Sequence, residues 1–325
     1  MTSVAPETEV GLPGAVSEAE AVAGRSPRQL FWSRFKKDKA ALFGLGLVVL
    51  LVVIALTAPL VAKYVVGHGP NELFTRDMTD EFGLPKGPNS DFWFGGDSAG
   101  RDVFVRVLYG ARTSLMVALI ATGAAVALGT VLGITAGFFG GVVDTVISRT
   151  IDVILSMPYL LFAIGIVAAC GATVEGCLGG LVKPGRPLVI FVIAIFTWPY
   201  IARIVRGSTL SLREKEFIEA SRSVGAGNMR IMFTEVLPNL IAPILVYSTY
   251  LIPNNILFEA ALSFLGLGVP QNIPSWGRIL ADAAEIFEFA WWLMVFPGLF
   301  LIMTTLAFNL LGDGLRDALD PRTER

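Results

Sequence analysis

The chain has 325 residues, of which 54% are hydrophobic and only 16% charged, and its formal net charge at pH 7 is −2. Together with a mean hydropathy of +0.66, this composition excludes an ordinary soluble domain and is typical of a helical membrane protein. The sequence therefore predicts an all-α, polytopic membrane fold.

The N-terminal segment is polar. The first 39 residues contain no apolar core, which argues against a cleaved signal peptide. Residues 1–27 are rich in Ala, Gly, Glu and Pro and predict a disordered tail. Residues 28–39 interleave basic and aromatic side chains, which predicts an interfacial helix in contact with membrane lipid. Because it adjoins a membrane span, we do not expect this basic stretch to bind nucleic acid.

Uncharged windows long enough to cross about 30 Å of hydrocarbon recur along the chain. Five of them lie at residues 40–62, 113–143, 153–174, 236–258 and 289–312. A sixth, 187–202, is short, and we expect it to extend past Arg203, whose long side chain can reach the interface. The sequence thus predicts six transmembrane helices: one N-terminal span, with the interfacial helix in a unit at 28–62, and a five-helix core at 101–312.

The distribution of Lys and Arg predicts the orientation. With a cytoplasmic N-terminus, most basic residues fall in cytoplasmic segments, as the positive-inside rule requires. The basic residues of the long outer loop are matched by acids, and long loops translocate largely regardless of charge. We therefore expect both termini to be cytoplasmic, with residues 313–325 as a C-terminal tail. Residues 63–100 should form an extracytoplasmic loop.

The second predicted span carries small residues at every fourth position. Such a face lets two helix backbones approach closely, either within the chain or at a partner subunit. The residues concerned are Ala121, Ala125, Gly129, Gly133, Gly137 and Gly141.

The segment around the third predicted span carries three local signals. Arg149 and Asp152 are three residues apart and can pair on one helix face, and Pro158 should kink the span. Cys170 and Cys177 bracket a short Gly-containing outer loop, so they form either a disulfide in an oxidising compartment or two unpaired thiols. We expect no metal site, because the sole histidine lies in a different loop.

A polar island at residues 217–238 separates two apolar segments. Ser211 and Glu214 have the spacing of a capping box, so a helix should begin at Ser211, and Gly225 and Gly227 can end it. That helix is too polar to span a membrane. From these residues alone, the island is either an ordinary surface helical hairpin or a docking loop.

The island resembles the E-A-A, Gly, Leu-Pro signature of permease subunits of binding-protein-dependent, ATP-driven importers. Its matching residues are Glu219, Ala220, Ser221, Gly225, Leu237 and Pro238. Ser221 replaces the last alanine of the signature, and Glu235 stands where the signature has an apolar residue. The resemblance implies that residues 207–237 form a cytoplasmic loop that docks on an ATPase.

Other segments resemble the C-type permease subunit of dipeptide and oligopeptide importers of the bacterial cell membrane. They lie at residues 95–104, 109–115, 259–270, 274–277 and 307–321. The resemblance implies that the chain forms half of a substrate passage, with a second permease subunit, two ATPases and an extracellular peptide-binding protein as partners. The chain itself should be neither an enzyme nor a cofactor carrier, because no lysine is followed by the Ser or Thr of a phosphate loop.

Glu259 is the ionisable residue that lies deepest in apolar sequence, close to Asn254 and Asn255. An intramembrane carboxylate is functional by default, and Glu259 either lines the passage with the two asparagines or bonds to a neighbouring helix. Two other functions remain open at this point. One is import of nickel chelates or other small solutes, and the other is ion-coupled secondary transport, which would ordinarily need several intramembrane charges.

Overall fold

The structure is a computed structural model that describes residues 27–173 and 175–319. Throughout these ranges the ordered elements are helices, and the loops add only isolated β-bridges. The all-α prediction is therefore confirmed. The predicted disordered tail falls almost entirely outside the described residues, and Pro27 already begins the first helix.

The first two helices form one continuous packing unit with the last. Helix α1 spans Pro27–Phe35, and α2 spans Lys39–Val61, followed by a π-helical turn at Ala62–Val66. Asp38 separates them: its Oδ1 accepts hydrogen bonds from the Ala40 and Ala41 N–H groups, 2.9 and 3.0 Å away, as a helix N-cap does. A helix is thus present where we predicted an interfacial one, and its Phe35 side chain is buried against the end of the last helix.

Apart from short helical turns, eight helices follow in chain order. They are α3 Val103–Phe139, α4 Gly141–Ser156, α5 Tyr159–Gly171, α6 Arg186–Leu212, α7 Glu216–Ser223, α8 Asn228–Phe264, α9 Trp276–Ala284 and α10 Trp292–Leu319. The short window at 187–202 was expected to extend past Arg203, and α6 confirms this extension. Helix α10 continues into the predicted C-terminal tail, 313–325, as far as Leu319; residues 320–325 lie outside the described part, and the cytoplasmic placement of the tail stays a prediction.

The number of spans depends on one bent helix pair. Among the described residues, five helices are long and apolar enough to cross a membrane: α2, α3, α6, α8 and α10. The third predicted span is not one straight helix, because α4 and α5 meet at an angle of 87° across Met157 and Pro158. Counted as one span, the pair completes the predicted six. We expected Pro158 to kink this span, but the helix is broken there into two parts.

Two prolines, Pro243 and Pro253, do not interrupt the helix that contains them. Both prolines lie inside α8, which continues across them to Phe264. In a membrane helix, neighbouring helices and local backbone adjustments can satisfy the carbonyl groups that a proline leaves free. Helix α8 packs against α3, α6 and α10, which gives it this support.

A close and extended helix contact joins α3 and α6 along the predicted stripe of small residues. A Cβ atom added at Gly129 would lie 2.7 Å from the Trp198 carbonyl oxygen, and one added at Gly137 would lie 2.7 Å from the Thr209 Cβ. The stripe is therefore an internal contact of this chain, one of the two alternatives. Its last member, Gly141, lies beyond the helix and opens α4.

At one end of the bundle, residues 67–102 fold into a cap over the helix ends. Asp97 accepts a 2.7 Å hydrogen bond from Arg101 Nε, and the buried Arg106 Nε lies 3.4 Å from the same carboxylate. Trp292 Nε1 donates to the Gly96 carbonyl at 3.0 Å, which ties the cap to α10. Asp102 is the N-cap residue of α3. Its burial raises the pKa of its carboxyl group, although the hydrogen bond from the Phe104 N–H and the nearby His68 act to lower it.

The stripe leads to a stability prediction. In Gly133→Ala, the new methyl group would lie 2.7 Å from the Ala202 carbonyl oxygen and 2.8 Å from the Val205 Cβ. We expect the free energy of unfolding to fall by about 1–3 kcal/mol through overpacking, measured as a lower midpoint of thermal unfolding in detergent. Gly123→Ala is the matched control on the same helix, because a Cβ there meets no atom within 4 Å. Equal midpoints for the two variants would contradict the packing interpretation.

Candidate docking loop and passage residues

The polar island forms a short helix and a sharp turn, but the helix begins later than predicted. Helix α6 runs through Ser211 to Leu212, and Ser211 Oγ donates to the Gly207 carbonyl within α6 at 3.4 Å instead of capping a new helix. The chain turns at residues 213–215, and α7 begins at Glu216. The capping-box prediction is therefore wrong, because the packing of α6 on α3 extends α6 past the local start signal.

Gly225 provides the turn after α7. Its φ angle is +83°, in the left-handed region that glycine adopts at little cost. The N–H groups of Gly225 and Ala226 donate to the carbonyls of Arg222 and Ser221 at 2.9 and 3.0 Å, which closes the helix end. Gly227 has an ordinary φ of −69° and precedes α8.

Helix α7 is seated on the end of α3. The Ile218 side chain is fully buried in one cluster with Ile134 and Phe138. The Arg222 guanidinium lies 5.4 Å from the centre of the Phe138 ring, within the range of a cation–π contact. Arg213 Nη1 donates to the Gly137 carbonyl at 3.2 Å. The loop is thus fixed to the end of a spanning helix.

The opposite face of the loop is exposed. Of the six signature residues, Glu219, Ala220, Gly225 and Pro238 are exposed, whereas Ser221 and Leu237 are half-buried. Large apolar side chains accompany them on the surface: Val224, Met229 and Phe233 are 84%, 62% and 59% exposed. Apolar side chains in a charged setting are typical of a protein-contact surface. Glu235, the departure from the signature, is half-buried.

Charged side chains next to the loop connect α4 to α6. Arg206 binds both carboxylate oxygens of Asp144, with 2.7 Å between Nη2 and Oδ2. Arg203 Nη2 lies 2.8 Å from Asp152, whereas the predicted pair of Arg149 and Asp152 is 3.9 Å apart and largely exposed. The sequence missed the stronger pairs because their members are more than fifty positions apart.

Glu259 is completely buried and bonded to neighbouring elements. The Ser114 hydroxyl of α3 donates to its Oε2 at 2.8 Å, and the Ser263 hydroxyl donates to its Oε1 at 2.7 Å. Ser275, which caps α9, also lies near this carboxylate. The sequence left two roles open for Glu259, and this geometry corresponds to one of them, a bond to a neighbouring helix. The hydroxyl groups enclose the carboxylate here, and a passage-lining role for Glu259 stays an untested prediction.

Asn254 and Asn255 line a cavity of about 370 Å³ between α5, α6 and α8. Asn254 is exposed at its rim, and Asn255 is buried, with its Nδ2 donating to Thr122 Oγ1 of α3 at 2.8 Å. The sequence did not indicate the aromatic side chains that share this cavity, because three of the four, Tyr159, Phe196 and Tyr200, lie on other helices. The lining residues are Tyr159, Leu160, Phe196, Thr197, Tyr200, Leu251, Asn254, Asn255, Leu257, Phe258 and Ala261.

Cys170 and Cys177 are joined by a disulfide bond in this structure, with their Cα atoms 5.0 Å apart. The bond clamps the loop that leaves α5, at the cap end of the bundle. No group of three or more His, Cys, Asp or Glu residues in the described ranges has the arrangement of a metal site.

The bundle of spanning helices, its exposed polar loop and its internal cavity define a multi-pass membrane transport subunit. Residues 129–325 match the family model described as "Binding-protein-dependent transport system inner membrane component", and residues 26–75 match the "N-terminal TM domain of oligopeptide transport permease C". The chain belongs to this family of permeases and is a multi-pass protein of the bacterial plasma membrane.

Curated relatives match the chain over nearly its whole length. The dipeptide transport system permease protein DppC of Alkalihalophilus pseudofirmus is 40% identical over 299 residues, which cover 91% of this chain and 90% of that protein. The di/tripeptide transport system permease protein DppC of Pseudomonas aeruginosa is 39% identical over 297 residues, 91% and 93% of the two chains. The glutathione transport system permease protein GsiD of Escherichia coli is 41% identical over 298 residues, 92% and 91%.

Solved structures show the same fold. A native crystal form of the MetNI methionine ABC transporter, described as inward facing, aligns with a TM-score of 0.54 at 17% identity. The alignment covers 67% of this chain and 97% of that one. A selenomethionine-soaked form gives 0.53 at 19% identity, over 66% and 96%. At this identity the likeness concerns the fold alone.

The cysteine pair gives the prediction of this section. We expect the protein purified from membranes without reductant to carry the disulfide between Cys170 and Cys177, so alkylation should add no mass. After reduction, alkylation should add two groups. Intact-mass spectrometry measures both states. Two adducts without reductant would show that the thiols are free.

Proposed function

We propose that the chain is the permease subunit of an ATP-driven importer of dipeptides and oligopeptides. The observation that carries this proposal is the agreement of the relatives: three permeases at 39–41% identity are named for dipeptides, di- and tripeptides, and glutathione, which is chemically a tripeptide. Each aligns over at least nine-tenths of both chains, so the likeness includes the spanning helices that would form the passage.

The chain would supply one half of the passage, and a second permease subunit would supply the other. The cavity beside Asn255 supports this arrangement, because its rim residues Tyr159, Tyr200 and Leu257 are about half exposed and offer a surface for a second wall. An extracellular peptide-binding protein would deliver the substrate, and two cytoplasmic ATPases would drive its movement. These partners, and not this chain, would hydrolyse ATP.

The loop 207–237 would transmit the ATPase motion, with Glu219, Gly225 and the exposed apolar residues as contacts. Its suitability follows from its two faces. One face is held on α3 by Ile218 and by the bond between Arg213 and Gly137, and the other face is open to a partner. A short helix set in a partner's groove is a recurrent form of such a contact. Movement of the ATPase would therefore reach the spanning helices directly.

The alternatives have less support. A secondary transporter would need an intramembrane charge for ion coupling, and the candidate for it is Glu259. This carboxylate is enclosed by serine hydroxyls and lies outside the lining of the cavity. Import of nickel chelates or other small solutes would use the same permease architecture. Transport assays of the assembled importer with its own binding protein distinguish these substrates from peptides.

We predict the orientation of the chain from the basic-residue bias. In a background with both native cysteines replaced by Ala, Ser223→Cys should resist a membrane-impermeant thiol reagent in intact cells and react after permeabilisation. Ala99→Cys, exposed on the cap, should react in intact cells. Labelling of position 223 in intact cells would reverse the proposed topology, and with it the domain assignment of the loops.

The docking proposal predicts that two substitutions uncouple the importer. Gly225→Val forces a β-branched residue into the left-handed region, which costs at least about 1 kcal/mol, and misdirects the turn. Glu219→Lys reverses the charge that the loop offers. Both variants should reach the membrane but lose peptide uptake and peptide-stimulated ATP hydrolysis, with weaker retention of the ATPase on purification.

Two substitutions at the cap serve as matched controls. Gly83 also has a positive φ, +77°, and open space around it, as Gly225 does. Glu81 is exposed like Glu219. Gly83→Val and Glu81→Lys should leave ATPase retention unchanged. Full uptake and normal assembly in Gly225→Val and Glu219→Lys would move the coupling contact elsewhere, first to the turn at residues 144–152.

A further inference from the structure

The cavity beside α8 contains an unused hydrogen-bond acceptor. Asn255 is 1% exposed, and its Oδ1 has no hydrogen-bond partner among the described residues. A buried acceptor without a partner is costly, so it is normally satisfied by some group that enters its surroundings. Asn255 also lines the cavity, which is large enough to admit such a group.

The orientation of this acceptor is fixed by the helix behind it. Asn255 Nδ2 donates to Thr122 Oγ1 at 2.8 Å, so the amide is held from the α3 side. Thr122 is itself buried. Asn254 differs, because its Nδ2 donates to the Tyr250 carbonyl of its own helix and its side chain is exposed. Asn255 is thus the asparagine whose remaining polar atom is both held in place and free to accept a hydrogen bond.

The rest of the lining determines which donor suits the cavity. Among the described residues that line it, the polar groups are two asparagine amides, the Thr197 hydroxyl and two tyrosine hydroxyls, and the others are apolar. None of these lining residues is Asp, Glu, Lys or Arg. A site of this kind suits a neutral N–H donor, since an ion that left water would find no opposite charge to compensate it.

We propose that Asn255 Oδ1 accepts a hydrogen bond from a backbone N–H of the transported peptide, with Thr122 as a positioning residue, and that the cavity contacts the peptide bond rather than charged side chains. This inference rests on the proposed function. It also accounts for how one wall can pass peptides of different sequence, because the backbone N–H is common to nearly all of them.

The test uses the complete importer in proteoliposomes: this permease, its partner permease, the ATPases and the loaded binding protein. Three tripeptides with Ala, Lys or Glu at the centre are compared. In Asn255→Leu, the maximal uptake rate should fall about 3- to 10-fold, the value of one neutral hydrogen bond. The factor should be the same for all three peptides. Thr122→Val should show a smaller loss in the same direction.

A second measurement separates contact with the peptide from a merely structural role. Asn254→Cys places a thiol at the rim of the cavity, and its rate of alkylation reports occupancy. Trialanine delivered by the binding protein should slow alkylation when Asn255 is present, and should not do so in the double variant with Asn255→Leu. Thr304→Val is the control for Thr122→Val, since it also removes a buried hydroxyl from a spanning helix but from a residue that neither lines the cavity nor bonds to Asn255.

The outcomes distinguish the inference from the function on which it rests. If the wild-type importer takes up none of the peptides, the proposed function is wrong and this inference falls with it. If the wild type imports them and Asn255→Leu matches it, Asn255 is satisfied by water only and the inference alone is wrong. A loss confined to the Lys or Glu peptide, or protection that persists without Asn255, would also overturn it.

Discussion

The contact between α3 and α6 through glycine is the constraint on which the rest of the structure depends. At Gly129, Gly133 and Gly137 the backbone of α6 lies where a side chain would otherwise stand. In lipid, where burial of apolar side chains gives little driving force between helices, such close approach is a main source of association. Because α3 is fixed in this way, it can support functional groups along its whole length.

Each functional region contacts α3 at a different level. Near the start of the helix, Arg106 binds the cap, and Ser114 donates to Glu259. Thr122 then holds Asn255 beside the cavity. At the far end, Phe138 supports the docking helix. The cavity and the proposed docking loop therefore contact one continuous helix, so that a force on the loop would have a direct mechanical route to the proposed passage.

The sequence predicted the elements that depend on a local pattern. It did not predict the features that depend on contacts between residues far apart in the chain. The uncharged windows, the stripe of small residues and the Gly225 turn were all readable, because each is a regular spacing or a single conformational requirement. The start of α7 was not, since the packing of α6 prevailed over the capping signal at Ser211. Nor could spacing reveal that serines from three elements enclose Glu259, or that α8 continues through its prolines.

The length of α3 has a mechanical consequence. Its 37 residues extend about 55 Å at 1.5 Å per residue, against a hydrocarbon layer of about 30 Å. Unless it tilts steeply, the helix must project from the bilayer, and it then works as a lever. A rotation of only about 5° around its capped end would move its other end by about 5 Å, because displacement grows with the length of the arm. In the proposed importer, a small closure of the ATPases would thus become a movement about as large as one helical turn.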